Sequence, residues 1–341
     1  MSGPGSDIAQ ASAEKGQPRT PAASRFRVLG IRELGIFAAL LLICICLSIA
    51  SPYFLVASNL LNVTRQMASI AIMAVGMTYL IIARDFDLSV GSTYGLVGII
   101  AGLMVLNWGV DIWVAVPIVL VFGMLVGLFN GTLVTMVGIP SFIVTLGTLS
   151  ILRGAALILS GGRPVSDLPP SNFFDVFAGD FHGIPAQTLW MVLILSIAGF
   201  VLAKTKFGYH VYATGGNPRA ARLMGIKTRR VRIINFMIAG FLASFGGVIA
   251  LAFLNTVPPT SGTGLELDII SAVVIGGTAL AGGTGSILGT FLGAAIMAVV
   301  RNGLVLLGIS AYWQQAAIGT VIVVAVTLDV LSSRKPGAER D

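Results

Sequence analysis

The chain has 341 residues, of which 56% are hydrophobic and only 10% are charged. A soluble globular protein carries about a quarter charged residues, so this composition excludes a domain that is surrounded by water. A membrane-spanning helix needs about 20 apolar residues, and segments of that kind recur along the whole chain. We therefore predict an all-α integral membrane protein, a polytopic bundle of about ten transmembrane helices.

The beginning of the chain differs in composition from the rest. Residues 1–27 are rich in Pro, Gly, Ser and Ala, and we predict a disordered N-terminal tail that extends to residue 33. The first apolar run follows this long tail and resembles the later runs, which favours an uncleaved helix over a signal peptide. Cys44 and Cys46 lie in this run two residues apart, on different helix faces, so neither a disulfide nor a metal site is expected.

The apolar runs give the predicted helices. They cover residues 34–51, 60–83, 92–107, 112–137, 141–160, 188–203, 232–254, 267–281, 285–307 and 311–331. Four glycines, Gly276, Gly277, Gly282 and Gly283, interrupt the eighth, which indicates a re-entrant or broken helix. The predicted membrane domain is 34–331, followed by a tail at 332–341.

The basic residues indicate the orientation. Sixteen of the 21 Lys and Arg residues lie in the N-terminal tail, the loop 204–232 or the C-terminus. With ten helices these three segments share one side of the membrane, which the positive-inside rule assigns to the cytoplasm. The net charge of +7 is then explained by topology, and we do not expect a nucleic-acid partner.

Two helices carry matching ladders of glycine at every fourth residue. One ladder is Gly123, Gly127 and Gly131, and the other is Gly285, Gly289 and Gly293. This spacing places each set on one helix face, where two backbones can approach closely. The ladders predict either two inverted five-helix halves or two independent packing faces.

An acidic motif, Arg84 to Ser92, lies between the second and third apolar runs. Its two carboxylates, Asp85 and Asp87, are costly near hydrocarbon and must face a cavity, a partner or water. Asp87 and Ser89 are candidates for capping the third helix, with Gly91 at a close turn, and they are also candidates for a translocation pathway. No histidine or cysteine accompanies them, so neither catalysis nor a metal site is predicted.

The basic loop 204–232 contains a short helix signal. Asn217 is a predicted N-cap before a proline at the first helical position, and Gly225 ends the helix. The apolar residues Ala220, Ala221, Leu223 and Met224 are then available to dock a soluble partner. A solvated loop that only obeys the positive-inside rule is the alternative.

A glycine-rich stretch, Val274 to Ser286, superficially resembles a phosphate-binding loop. It lacks the Lys-Ser/Thr ending of a Walker motif and the G-x-G-x-x-G spacing of a dinucleotide site. A helix break that lines a pathway is the better interpretation. Any ATP would be hydrolysed by another chain, and three arginines in apolar segments, Arg65, Arg153 and Arg301, either reach the membrane interface or pair with a carboxylate.

At these motifs the chain resembles the permease subunits of monosaccharide ABC importers, the ribose/xylose/arabinose/galactose group. The family signature is similar to G-G-I-D-L-S-V-G-S, and Phe86 to Ser92 matches its core. This chain has Arg84-Asp85-Phe86 where the family usually has two glycines and an isoleucine, which leaves the role of Asp85 open. Further matches, in the same order, are 138–148, 215–226, 274–278 and 282–286, within a resemblance that spans 34–331.

The resemblance implies a subunit of a larger transporter rather than an enzyme. Two permeases, as a homodimer or a related pair, would surround a central path in the bacterial inner membrane. Two cytoplasmic ATPases would bind ATP and Mg, and a periplasmic binding protein would deliver the sugar. The residues expected to dock the ATPase are Gly215, Gly216, Asn217, Arg219, Ala221, Arg222 and Gly225.

The pathway residues and the rival functions complete the set of hypotheses. The residues expected along the path are Asp87, Ser89, Gly91, Asn130, Thr145, Gly276 and Gly277. An ion-coupled secondary transporter, with Asp85 and Asp87 as coupling carboxylates, is one alternative. An ABC permease for another cargo, such as branched-chain amino acids, is the second, and a membrane enzyme is disfavoured because no nucleophile–base set appears.

Overall fold

The computed structural model describes residues 23–310 and, beyond them, residues 313, 316, 319, 320 and 327. In this part of the chain, eight helices are long and apolar enough to cross a membrane. They are Glu33–Ala50, Ala57–Ile82, Val90–Trp108, Ile112–Val137, Ser141–Ser160, Ala186–Lys204, Thr228–Leu254 and Ile287–Leu306. The predicted all-α, polytopic membrane fold is confirmed.

Helices make up nearly all of the regular structure. In chain order they are α1 (Ala23–Ala50), α2 (Ala57–Ile82), α3 (Val90–Trp108), α4 (Ile112–Thr132, continued by a π-helical segment Leu133–Val137), α5 (Ser141–Ser160), α6 (Asn172–Ala178), α7 (Ala186–Lys204), α8 (Lys206–Gly216), α9 (Pro218–Leu223), α10 (Thr228–Leu254), α11 (Leu265–Ile275) and α12 (Ile287–Leu306). Among the described residues, four two-residue strands pair antiparallel: β1 (Val165–Ser166) with β4 (Thr256–Val257), and β2 (Asp180–Phe181) with β3 (Ile184–Pro185).

The two ends of the described chain correct or leave open three predicted boundaries. Helix α1 begins at Ala23, so residues 23–33 are helical and do not belong to a disordered tail. Arginine, leucine and glutamate are good helix formers, and a polar composition therefore does not exclude a helix here. The rest of the predicted tail, nearly all of the predicted helix 311–331 and the C-terminal tail lie outside the described residues.

The predicted eighth helix is much shorter than expected. Helix α11 has 11 residues, a length of about 17 Å at 1.5 Å per residue, which is roughly half of the hydrocarbon thickness. It ends at Gly276, and the following loop contains three glycines with positive φ, Gly277, Gly282 and Gly283. The chain therefore has a broken helix here, which is one of the two predicted alternatives, a re-entrant or a broken helix.

Helices α2 and α10 form the centre of the bundle. Helix α2 packs against α7, α10, α11 and α12, and α10 packs against α2, α3 and α4. By contrast, α5 and α7 expose many large apolar side chains, among them Ile158 and Phe200. Such an apolar outer surface is stable in a lipid environment but not in water.

Glycines allow two of the helix pairs to touch backbone to backbone. An added Cβ at Gly127 on α4 would lie 2.1 Å from the Phe236 carbonyl oxygen on α10. One at Gly293 on α12 would lie 1.9 Å from the Ala272 carbonyl oxygen on α11. Gly123 and Gly131 also face α10, and Gly289 faces Gly276 at the end of α11. Gly285 precedes α12, so it is not on the helix as predicted.

The neighbours of these helices bear on the predicted inverted halves. Helix α4 packs on α3 and α10, and α12 packs on α11 and α2. The two sets correspond if α3 is equivalent to α11 and α10 to α2, which is the order that two successive five-helix units require. The inverted repeat stays a prediction, because nearly all of its tenth helix lies outside the described residues.

Candidate functional site

The short connection between α2 and α3, residues 83–89, is here called the α2–α3 turn. Arg84 adopts a left-handed conformation with φ 69°, which is rare for a residue with a side chain. The Asp87 carboxylate then accepts hydrogen bonds from the Ser89 amide (2.8 Å) and the Ser89 hydroxyl (2.5 Å). These bonds fold the chain back sharply, so that α3 can begin at Val90.

Asp87 begins a buried hydrogen-bond network that joins three helices. The Asn130 side-chain NH2 group on α4 donates to the Ser89 hydroxyl (3.0 Å). The Thr148 hydroxyl on α5 donates to the side-chain oxygen of Asn130, Oδ1 (2.7 Å). All four residues are at most 5% exposed. Burial raises the pKa of the Asp87 carboxyl above its ordinary value, and hydrogen bonds from Ser89 oppose that rise in part.

The predicted pathway residues are only partly brought together. Asp87, Ser89 and Asn130 share this network, whereas Thr145 is buried and donates to the Ser141 carbonyl oxygen within its own helix. The Ser89 amide donates to the Asp87 carboxylate in a local turn of the kind that precedes a helix. Ser89 itself is the N-cap of α3 but makes no side-chain capping hydrogen bond. The place of the predicted pathway residues along a translocation path stays a prediction.

The predicted pathway glycines lie where backbones meet. An added Cβ at Gly91 would lie 2.4 Å from both the Gly262 carbonyl oxygen and the Glu266 carboxylate, so α3 begins directly against the segment that leads into α11. An added Cβ at Gly276 would lie 2.4 Å from the Gly289 carbonyl oxygen, and Gly277 has a positive φ of 85°. These positions exclude a side chain whether or not cargo passes near them.

Asp85 has a partner that the sequence did not reveal. Its two carboxylate oxygens accept hydrogen bonds from Nε and from a terminal nitrogen of Arg232, both at 2.6 Å. Asp85 is fully buried, and the Arg232 side chain is 30% exposed. Arg232 lies 147 residues away along the chain, on the second turn of α10. It stands where the basic loop 204–232 meets the predicted helix 232–254, and the sequence offered no partner for it.

The same turn is pressed against α8. The Arg84 guanidinium donates to the Gly216 carbonyl oxygen at 3.0 Å. An added Cβ at Gly215 would lie 1.6 Å from the Ile82 carbonyl oxygen, and this oxygen accepts a hydrogen bond from the Gly283 amide at 2.8 Å. The end of α2, the end of α8 and the glycine-rich loop after α11 thus meet at one point, which we call the joint.

Helices α8 and α9 replace most of the predicted basic loop. Helix α8 was not predicted, because its glycines are poor helix formers, but its buried residues Gly208, Val211, Thr214 and Gly215 fall on one helical face. Helix α9 has the predicted signals: the Asn217 side chain accepts hydrogen bonds from two amides, and Pro218 opens the helix.

The exposure of α9 decides which residues can meet a partner. Leu223 is 89% exposed and Met224 is 82% exposed, which is unusual for large apolar side chains next to a polar loop. Arg219, Ala220 and Arg222 are exposed as well. Ala221 and Gly215 are buried inside the chain, where they pack α8 and α9 against the bundle. The role of this segment in coupling to an ATPase stays a prediction.

The three arginines in apolar segments all have partners. Arg65 pairs with Asp180 at 2.8 Å, Arg301 pairs with Asp268, and Arg153 donates to the Ser261 carbonyl oxygen at 2.7 Å. Of the two predicted possibilities, pairing with a carboxylate therefore holds for Arg65 and Arg301. Within the described residues no group of three His, Cys, Asp or Glu side chains could hold a metal ion.

The sequence of the chain is similar to those of known transport proteins. Residues 59–326 match the family described as branched-chain amino acid transport system / permease component. The chain is 39% identical to the ribose import permease protein RbsC of Haemophilus influenzae, over 86% of this chain and 91% of that protein. It is 40% identical to RbsC of Bacillus subtilis, over 88% and 93%.

A relative with a different cargo in its name also matches. The autoinducer 2 import system permease protein LsrC of Salmonella typhi is 36% identical over 87% of this chain and 85% of that protein. No solved structure matches significantly. The predicted resemblance to ABC importer permeases is confirmed, and the chain belongs to the family of branched-chain amino acid transport system permease components.

Proposed function

We propose that this chain is the membrane-spanning subunit of an ABC importer that carries a monosaccharide across the bacterial inner membrane. The observation that carries the proposal is the 39–40% identity to ribose import permeases over more than four-fifths of both chains. The half-length α11 and the glycine-rich break that follows it support the proposal, because discontinuous helices recur in transport proteins.

The energy comes from a separate chain in this proposal. A cytoplasmic ATPase binds ATP and Mg and docks on α8 and α9, where Leu223 and Met224 offer an exposed apolar surface flanked by Arg219 and Arg222. The glycine-rich loop after α11 packs against α2 and α8, which leaves it in a structural role. The permease itself makes no covalent change to the cargo.

The arrangement of the complex follows from the charges and from the family. Both termini and the segment 204–232 lie in the cytoplasm, in keeping with the concentration of Lys and Arg there. Two copies of the chain surround the path as a homodimer, and a periplasmic binding protein delivers the sugar. Asp87, Ser89, Asn130 and Thr145 contribute to the lining of that path when the helices rearrange.

Cargo identity can be tested with vesicles that contain the chain, its ATPase and its binding protein. We expect ATP-dependent uptake of a labelled pentose such as ribose, and competition by excess unlabelled ribose. Uptake of autoinducer 2 in place of ribose would favour the function named for LsrC. Uptake of leucine without any sugar transport would overturn the proposed cargo class.

A further inference from the structure

We propose that the Asp85–Arg232 ion pair, together with the bond from Arg84 to Gly216, transmits movement of α8 and α9 to the start of α3. This inference rests on the proposed function, because it assumes an ATPase that moves α8 and α9. It assigns Asp85 and Arg232 as positioning residues: neither needs to touch the cargo or the nucleotide.

The ion pair fixes α10 to the α2–α3 turn. Arg232 is the fifth residue of α10, and only four residues separate α9 from the beginning of α10. Two hydrogen bonds of 2.6 Å join its guanidinium to both oxygens of the Asp85 carboxylate. A bidentate pair of this kind restrains orientation as well as distance, so a rotation of the first turns of α10 must displace the turn.

At the joint, the backbones of α8 and α2 are in direct contact. At Gly215 the two backbones are so close that even a methyl group would overlap the Ile82 carbonyl oxygen. The Gly283 amide donates to the same oxygen at 2.8 Å, and the Arg84 guanidinium donates to the Gly216 carbonyl oxygen. Close-packed contacts transmit displacement rather than absorbing it.

A displacement of the α2–α3 turn would reach four other helices through direct contacts. Asp87 lies two residues beyond Asp85 and connects through Ser89 to Asn130 on α4 and then to Thr148 on α5. Two residues beyond Ser89, Gly91 touches the segment that leads into α11. A seven-residue turn thus joins the proposed ATPase-docking helices to α3, α4, α5 and α11.

The test is the stimulation of ATP hydrolysis by the sugar-loaded binding protein, measured on the complete complex in lipid nanodiscs. For Asp85→Asn we expect normal co-purification of the ATPase and unchanged basal hydrolysis. The ratio of stimulated to basal hydrolysis should fall by about tenfold, in the range of typical coupling energies between distant sites. A purely structural role would lower the yield of complex and leave this ratio unchanged.

Asp180→Asn is the control, because it removes the carboxylate of another, more exposed Arg–Asp pair. Its partner Arg65 lies near the beginning of α2, whereas the joint lies at the end of that helix. If Asp85→Asn yields no complex, the double variant Asp85→Leu/Arg232→Met replaces the test, since apolar replacement of a buried ion pair is often tolerated. We expect it to assemble and to lose stimulation. Stimulation as in the unmodified complex, in whichever variant assembles, would overturn the proposal, and so would an equal loss in Asp180→Asn.

The unmodified complex separates failure of this inference from failure of the proposed function. If it hydrolyses ATP without any response to a sugar-loaded binding protein, the proposed function fails. If it responds and Asp85→Asn responds equally, only the role of the ion pair fails.

Discussion

Asp85 and Asp87 lie two residues apart in the same turn, yet their surroundings have opposite chemistry. Asp85 faces an arginine from α10 and forms a charged, bidentate pair. Asp87 has no cation in the network described above and is held by a hydroxyl and an amide, with a pKa raised by burial. One carboxylate therefore connects the turn to the elements beside α9 by charge, and the other connects it to α3, α4 and α5 by hydrogen bonds.

The comparison shows how one short turn can be connected to two groups of helices by different kinds of interaction. An ion pair with both partners in place restrains geometry strongly but is costly to break, because the remaining charge is left buried. A carboxyl group held by neutral donors tolerates protonation and can rearrange with less cost. The Asp85 side is thus suited to transmit a movement, and the Asp87 side is suited to respond to it.

The largest expected effect comes from the joint itself, where neighbouring glycines form a matched pair. We expect Gly215→Ala to destabilise the chain strongly, since its Cβ would lie 1.6 Å from the Ile82 carbonyl oxygen. Gly216→Ala should leave the chain stable, because nothing lies within 4 Å of its Cβ, but should weaken ATPase co-purification, as should Arg222→Ala. Thermal unfolding in detergent measures the first effect, and equal midpoints for the two glycine variants would contradict the geometry.

Arg232→Gln should have the next largest effect on stability. It leaves the Asp85 carboxylate buried without its cation, at a cost of about 3 kcal/mol. This is the low end of the range because the Arg232 side chain is partly exposed. Denaturant unfolding measures the unfolding free energy of this variant and of a control, Arg230→Gln, which changes a neighbouring exposed residue. Equal stability of the two variants would show that the pair contributes little.

Ser89→Ala tests the Asp87 side of the turn. The change removes the hydroxyl that donates to Asp87 and accepts from Asn130, and it leaves a buried amide group without that partner. We expect a loss of about 1–3 kcal/mol of unfolding free energy. Ser150→Ala on α5, whose hydroxyl is exposed and bonds only to its own helix in the described structure, should be nearly neutral. A neutral Ser89→Ala would contradict the network.

Asp87→Asn should change stability least, because an asparagine oxygen can accept the same bonds from Ser89. Since folding raises the pKa of Asp87 above its ordinary value of 3.8, the folded state binds this proton more tightly than the unfolded state. The stability of the unmodified chain should therefore fall as pH rises from about 3.8 through the raised value. Relative to it, the variant should gain stability across that interval, and transport should suffer more than assembly.

Thermal unfolding midpoints of the unmodified chain and of Asp87→Asn, measured across this pH range, test the predicted direction of the stability change. A variant that loses stability relative to the unmodified chain as pH rises would contradict the assigned cause. Transport as in the unmodified chain would remove the proposed role of Asp87 in the path.

The sequence predicted the membrane fold and α9 because both depend on local information. Apolar runs of about 20 residues identify spans, and Asn217, Pro218 and Gly225 are local start and stop signals. Helix α8 was missed because its stability comes from packing of a glycine-containing face against the bundle, and tertiary packing overrides intrinsic propensity.

The candidate site was predictable only in part. The motif around Asp87 and Ser89 was visible, since a buried carboxylate needs an explanation wherever it occurs. Asn130 was expected along the same path as Asp87 and Ser89, but its partner Thr148 comes from another helix, and Arg232 lies 147 residues from Asp85. No spacing rule connects such positions, and a basic loop already offered a sufficient reason for Arg232.

The energy source of transport separates the proposed importer from an ion-coupled transporter most directly. Labelled ribose uptake should be measured in vesicles that contain the chain with its ATPase and binding protein, under ATP alone, a proton gradient alone and a sodium gradient alone. We expect accumulation only with ATP and only when both partners are present. Accumulation by the chain without the ATPase, driven by either ion gradient, would contradict its assignment as an ABC permease.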